Sequence, residues 1–268
     1  MIAAPISPLF VPGSRPERFA KAAASAADAV IIDLEDAVDT HEKLKARDHM
    51  VAHGITGKPV FTRINAADTQ WWEDDLAALG DARLDGVILP KAETAEAMAA
   101  VARAAGPDVA VIALIETVRG LFELEAILRA PQVLCAGFGS LDFSLDCGCE
   151  PTWEPLLYTR SRLVLVSRLV GVAAPIDGVT PSIDDADLIA DEARRAAAMG
   201  FGGKLAIHPK QVEPISSAFR PDDETVAWAK RVLEAARDGS AIKVDGRMVD
   251  KPLIEQARRV CKASGILV

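Results

Sequence analysis

VAVIALIETVRGLFELEAILRAPQVLCAGFGSLD, residues 109–142, is the stretch from which the rest of this chain can be read. Two apolar, β-branched runs, 109–115 and 132–136, each lead directly into chemistry. The first ends in Glu116, and the second passes through Gly137, Phe138, Gly139 and Ser140 to Asp142. Between them Leu121, Leu124, Ile127 and Leu128 recur at helical spacing. The unit reads strand, helix, strand, with one carboxylate beyond the carboxyl end of each strand. Right-handed crossovers set consecutive parallel strands side by side, so Glu116 and Asp142 are expected to face one another across one pocket. Two hard oxygen ligands with open positions suit Mg²⁺, which keeps waters and takes further ligands from substrate. The other reading of the same residues is an N-capping Glu and a solvated loop Asp.

Working outward, the bulk numbers bound the answer. The 268 residues could form one large domain or two small ones, and half of them are hydrophobic. A net charge of −9 argues against nucleic acid, which requires a clustered basic surface. No apolar run approaches the ~20 residues of a membrane span, and no leader peptide is evident, so no membrane and a cytoplasmic location are expected. Cys135, Cys147, Cys149 and Cys261 then read as unpaired thiols, and Cys147-Gly-Cys149 lacks the second pair of a zinc site.

The same strand–helix pattern recurs along the chain. Short buried runs stand at 9–13, 29–32, 59–65, 86–91, 109–115, 132–136, 175–179 and 203–209, each followed by helical periodicity. Ser14 and Glu17 have the spacing of a capping box, Thr94 is placed to cap a helix at 95–104, and Gly200 to end one at 184–199. Eight βα units in about 210 residues is the arithmetic of an α/β TIM (β/α)8 barrel. A doubly wound sheet is the alternative, disfavoured by the regular unit length. The barrel is expected over residues 1–220. Residues 221–268 read as a C-terminal helix–hairpin–helix extension, with Asp245-Gly246 as the hairpin turn. A bare barrel does not need this tail, so it is expected to cover a barrel top, its own or a neighbour's, as a lid or oligomerisation element.

TIM-barrel sites are built at the carboxyl ends of the strands. Here those ends carry Asp33, Glu35, Asp36, Arg63, Asn65, Lys91, Glu116, Asp142, Asp177 and His208, an acidic set with cations placed among the acids. His208 reads more simply as a structural hydrogen-bonding residue than as a ligand.

At this point a family resemblance emerges. The motifs LFVPG (9–13), DLEDAV (33–38) with Lys43 and Ala46-Arg47, RIN (63–65), LPK (89–91), IET (115–117), FGxxD (138–142), GKxxIHP (203–209) and GxMVD (246–250) stand in order over nearly the whole chain. Together they resemble the citrate lyase β-subunit-like branch of the HpcH/HpaI aldolase superfamily. The resemblance implies a Mg²⁺-dependent barrel, a homotrimer, that makes or breaks carbon–carbon bonds in 3-hydroxyacyl-CoA thioesters such as citramalyl-CoA or malyl-CoA. The products would be acetyl-CoA and a 2-oxo acid. It makes Glu116 and Asp142 the metal ligands and Arg63 the cation at the reacting oxygens. Asp33 and Asp36 become groups that hold metal waters and Arg63. Asp250 becomes an acid/base delivered by a neighbouring subunit's tail, and Lys91 lies near the thioester or CoA.

Two departures from the family pattern bear on substrate. Pro5-Ile6-Ser7-Pro8 stands where many members carry an Arg-Ser pair, which removes a CoA-side contact. Leu141 stands where many carry an acidic residue in the metal loop. The alternatives are an aldolase on free 2-oxo acids, a thioesterase or synthase sharing the enolate chemistry, a citrate lyase β-subunit acting on citryl-acyl-carrier protein, and a binding protein without turnover.

Overall fold

Eight parallel strands follow one another in the sheet in chain order. They are β1 (Leu9–Pro12), β2 (Val30–Asp33), β3 (Val60–Arg63), β4 (Gly86–Leu89), β5 (Ala110–Ile115), β6 (Val133–Phe138), β7 (Ile176–Asp177) and β8 (Gly203–Lys204). This computed structural model describes residues 2–236, 242–244 and 247–266. The sheet curls until the segment after β8 meets β1: Leu9 bridges Ala206 in parallel, and the Phe10 N–H donates to the Ala206 carbonyl at 2.8 Å. The architecture is TIM-like.

The strands are apolar on both faces because both are covered. β2, β3 and β4 are buried at every residue. Ile31, Phe61, Ile88, Ile112, Cys135 and Leu205 pack together in the interior. Gly86 makes room there, since a Cβ on it would lie 2.2 Å from the Phe61 ring.

Helices α1 (Phe19–Ala24), α2 (Lys43–Val51), α3 (Trp72–Leu79) and α4 (Ala95–Ala105) follow the first four strands. Thr94 caps α4, accepting from the Ala97 N–H at 3.2 Å. After β5 come α5 (Val118–Phe122) and α6 (Leu124–Leu128), two short helices where one continuous helix was expected. After β6 come α7 (Ser140–Cys147) and α8 (Leu157–Val170), then α9 (Ala186–Met199) after β7 and α10 (Pro209–Phe219) after β8. Gly200 ends α9 in the left-handed conformation, φ 103°. The capping box is not formed: Arg15 precedes a 3-10 turn (Pro16–Arg18) with no side-chain cap, and Glu17 pairs with the Arg15 side chain at 2.7 Å. That ion pair diverts the carboxylate that the box needed.

The chain divides into two compact units, Met1–Ser217 and Ala218–Val268. The second contains α11 (Asp223–Ala236), β9 (Ile242–Val244), β10 (Arg247–Val249) and α12 (Lys251–Ala263). β9 and β10 pair antiparallel; their expected turn, Asp245-Gly246, lies outside the described residues. This unit has its own apolar cluster around Ala229, Val232, Leu233, Ala257 and Cys261. Among the described residues no helix is long and apolar enough to cross a membrane.

Candidate active site

Sheet register assembles the first part of the site. Asp33 ends β2, Arg63 ends β3, and the two are directly paired across the strands. The Arg63 guanidinium forks onto Asp33, with Nε on Oδ1 and Nη2 on Oδ2, both at 2.7 Å. Its Nη1 lies 2.9 Å from Glu35 Oε2 and 3.3 Å from Asp36 Oδ2, and the guanidinium stacks 4.9 Å from the Phe10 ring centroid. Burial works against the Arg63 charge, but the carboxylates of Asp33 and Glu35 outweigh it and raise its pKa. Asp33 also accepts the backbone N–H groups of Glu35 and Ala37, each at 3.0 Å, so the acidic loop folds around it. Its two oxygens thus hold the Arg63 guanidinium, and Asp36 reaches the same guanidinium from an exposed position.

Glu35 is the member to which no role was assigned from sequence. It is buried between Arg63 and Lys91, whose Nζ lies 3.4 Å from Oε1. Burial pushes its carboxyl up to about 7, with Asp36 and Asp33 adding and Arg63 and Lys91 opposing. Nothing in a run of three acids within four residues distinguishes the buried members from the exposed one; only the turn geometry does. The same turn explains Lys43 and Arg47. Lys43 donates to the carbonyls of Leu34 and Glu35 and to Asn65 Oδ1, each at 2.7 Å. Asn65 Nδ2 donates to Asp75 Oδ2 at 2.6 Å, and Arg47 Nε to Asp75 Oδ1 at 2.8 Å. This buried chain from α2 through the end of β3 to α3 braces the acidic loop.

Glu116 follows β5 directly and is 2% exposed. Its Oε2 accepts the Lys91 backbone N–H at 2.8 Å. Its Oε1 lies against Gly139, where a Cβ would come within 2.4 Å. Gly139 is thus the cradle that lets the β6 loop approach the carboxylate. Burial, reinforced by Glu35 and only partly opposed by Arg63, pushes the Glu116 carboxyl up to about 8. Asp142 lies not in a loop but in the first turn of α7, half-buried, with the helix dipole favouring its negative charge.

Glu116 and Asp142 jointly line two cavities. One, of about 370 Å³, holds Asp33, Asp36 and Arg63 and is otherwise largely apolar. The other, of about 460 Å³, is lined by Lys91, Thr94, Thr117 and several acids. The donor set fits Mg²⁺: two hard oxygens, one buried without a cation bonded to it, with space on both sides for waters or substrate oxygens. Among the described residues, three metal-type side chains within ligating reach of one another occur only at Asp39, His41 and Glu42, on the surface. Glu116 and Asp142 would therefore be the two protein ligands of an otherwise open ion.

Asp250 belongs to the second unit, where it N-caps α12 and accepts from the Leu253 N–H at 3.1 Å. His208 Nδ1 accepts from the Lys210 N–H at 3.2 Å, a local structural bond. All four cysteines are free thiols.

A family model for HpcH/HpaI aldolase/citrate lyase matches residues 7–209. The chain belongs to the HpcH/HpaI aldolase/citrate lyase family. A citrate lyase subunit beta-like protein of Deinococcus radiodurans is 37% identical, with 94% of both chains covered. An L-malyl-CoA/beta-methylmalyl-CoA lyase of Cereibacter sphaeroides is 34% identical over 97% of this chain and 94% of its own. The crystal structure of CitE from Mycobacterium tuberculosis in complex with magnesium, acetoacetate and coenzyme A superposes with a TM-score of 0.88. It is 36% identical, and 98% of each chain is covered. The family and these relatives indicate a lyase, and the HpcH/HpaI neighbour carries magnesium.

Proposed function

We propose that this member of the HpcH/HpaI family is a Mg²⁺-dependent carbon–carbon lyase that reversibly cleaves a 3-hydroxyacyl-CoA thioester, of the citramalyl-CoA or malyl-CoA type, to acetyl-CoA and a 2-oxo acid. The observation that carries the reading is the shared wall: Glu116 and Asp142 line both cavities, and Arg63 stands in one of them. Mg²⁺ held by this pair would supply Lewis-acid polarisation of the substrate hydroxyl and of the adjoining carboxylate. Cleavage removes the hydroxyl proton; the O–H electron pair becomes the carbonyl π bond of the 2-oxo acid. The carbon–carbon bond breaks, and its electrons pass to the thioester enolate, which takes a proton to give acetyl-CoA. Arg63 stabilises the negative charge developing on oxygen, and its fork on Asp33 keeps it preorganised for that task. Lys91 faces the second cavity and is assigned to the thioester side.

Asp250 is assigned the acid/base part, delivered by a neighbouring copy in a homotrimer. Residues 1–220 form the catalytic barrel and residues 221–268 the lid or oligomerisation extension. Incubating the protein and Mg²⁺ with citramalyl-CoA, malyl-CoA and CoA-free 4-hydroxy-2-oxo acids, and following product thioesters, tests the reading. Release of acetyl-CoA with a 2-oxo acid supports it. Hydrolysis of the thioester alone, or turnover of only the CoA-free acids, replaces it.

A further inference from the structure

Asp177 and Lys204 end β7 and β8 and are directly paired across the two strands, as Asp33 and Arg63 are across β2 and β3. Both are buried, at 0% and 1% exposed, and neither lines the two cavities that Glu116 and Asp142 share. Arg160, on α8 and also buried, completes the group. Its Nε donates to Asp177 Oδ1 at 2.9 Å, while Lys204 Nζ lies 3.3 Å from Oδ2. Lys204 also donates to the Gly178 carbonyl at 2.7 Å and lies 3.3 Å from Glu192 Oε2, which accepts from Thr180 Oγ1 at 2.5 Å. Segment 177–180 is thus held by charge at three of its four residues. The Arg160 guanidinium reaches further and stacks 5.2 Å from the Phe138 ring centroid. Buried ion groups contribute little net stability over apolar packing of the same volume, so stability alone does not account for this one.

What this segment touches is the loop that leads to Asp142. A Cβ on Gly178 would lie 2.5 Å from Ser140 Oγ and 2.8 Å from the Phe138 carbonyl oxygen. The same loop meets Glu116 at Gly139, where a Cβ would lie 2.3 Å from the Glu116 Cγ. Two glycines therefore let segment 177–180, loop 138–140 and the Glu116 side chain pack in succession with no slack between them. Asp142 follows two residues after Ser140, in the first turn of α7. From this succession we propose that Asp177 is a positioning residue for the metal site. It holds segment 177–180 against loop 138–140 and so sets the spacing of Glu116 and Asp142 before an ion arrives. This role rests on the Mg²⁺ reading above and deepens it. Asp177 acts through Gly178 and Ser140 rather than by touching metal or substrate. Mg²⁺ demands near-ideal octahedral geometry at about 2.0–2.1 Å, so a small displacement of either carboxylate weakens its binding.

The test is Mg²⁺ calorimetry on the full chain, well below each variant's thermal midpoint. Gly178→Ala changes no charge and adds one methyl group against Ser140 and the Phe138 carbonyl. Its Mg²⁺ affinity is expected to fall by about tenfold or more, the scale on which groups behind the ligands tune a metal site. Asp177→Asn is expected to do the same and to lower the thermal midpoint, because Arg160 and Lys204 lose the charge between them. Asp177→Asn combined with Lys204→Met removes a cation together with the anion. Thermal stability is then expected to recover while Mg²⁺ affinity stays low. Recovery of both would make the group a stability element only and overturn the proposal. Val101→Ala, buried in α4, controls for destabilisation and is expected to leave Mg²⁺ affinity unchanged. Wild-type protein that binds Mg²⁺, with Gly178→Ala and the double variant both within about threefold of it, would remove the positioning role alone. Wild-type protein that binds no Mg²⁺ would remove the metal reading and this role with it. Mg²⁺ binding that responds to these variants without any thioester cleavage would remove the lyase reading and leave the positioning role standing.

Discussion

The Lys91 backbone N–H donates to Glu116 Oε2 at 2.8 Å from a residue held at φ 45°. A left-handed lysine costs about 1 kcal/mol relative to ordinary backbone, and here the turn aims an N–H at a buried carboxylate. The loop after β4 therefore orients the group that ends β5, while the Lys91 side chain turns toward Glu35. Main chain and side chain of one residue serve different neighbours.

Lys91→Gly separates the two contributions. The N–H survives and the left-handed φ suits glycine, so Mg²⁺ affinity is expected to stay within about threefold of wild type. The KM for a CoA thioester is expected to rise while calorimetric Mg²⁺ binding holds. A large loss of Mg²⁺ binding would mean that the ammonium, not the amide, supports Glu116.

Glu116→Gln and Asp142→Asn keep the shapes of the side chains but remove hard anionic donors. Each is expected to lose most Mg²⁺ binding by calorimetry and most Mg²⁺-dependent turnover, with a native circular dichroism spectrum. Above about pH 8, where the raised Glu116 carboxyl ionises, Glu116→Gln is expected to raise the thermal midpoint of the metal-free protein, because an uncharged amide is cheaper to bury there than a carboxylate. Full turnover persisting in excess chelator would discard the metal assignment.

Arg63→Lys replaces a fork with a point charge. Lysine cannot occupy both oxygens of Asp33 and still face the cavity, so kcat is expected to fall by at least about 100-fold, the scale of losing an oxyanion donor. A variant within about threefold of wild type would place Arg63 outside the reacting centre.

Glu35 ties stability to pH in the metal-free protein. Its ordinary carboxyl pKa of 4.5 is pushed up to about 7 in the folded state, first by burial. Between these values the folded protein holds a proton that the unfolded chain releases. Stability from this group is therefore full below about pH 4.5 and is lost as pH rises toward 7, by on the order of 2–3 kcal/mol. Glu35→Gln should flatten this part of the melting-temperature profile between about pH 4.5 and 7. An unaltered profile would show that Arg63 and Lys91 already keep Glu35 ionised.

Asp250→Asn isolates proton transfer from capping. Asparagine caps about as well as aspartate, so the thermal midpoint is expected to hold while turnover collapses. Mixed oligomers of inactive Asp250→Asn and inactive Glu116→Gln subunits should regain activity if the acid is delivered across an interface. No recovery in verified mixed oligomers would confine Asp250 to its own chain or to its cap.

The sequence by itself determined the order and number of the strands, because buried parallel strands are apolar on both faces and the runs at 29–32, 86–91 and 109–115 have that character. It also placed Arg63 and Glu116 at strand ends and Asp142 a few residues beyond one, since polar residues following such runs emerge at one rim. Tertiary structure alone decided what those ends touch. The pairing of Asp33 with Arg63 is a matter of register between strands separated by a helix, which no local pattern encodes. The burial of Glu35 beside an exposed Asp36 depends on Lys43, Asn65 and Asp75 arriving from other segments. The seating of Asp142 on a helix against a glycine-cradled Glu116 depends on how closely the ends of β5 and β6 approach. Val179, after β7, and Leu205 and Ile207, after β8, share a cavity with Arg63 and Phe10 only because the sheet closes on itself. Local pattern reports which face of an element is buried; only closure of the barrel determines which buried faces share a cavity.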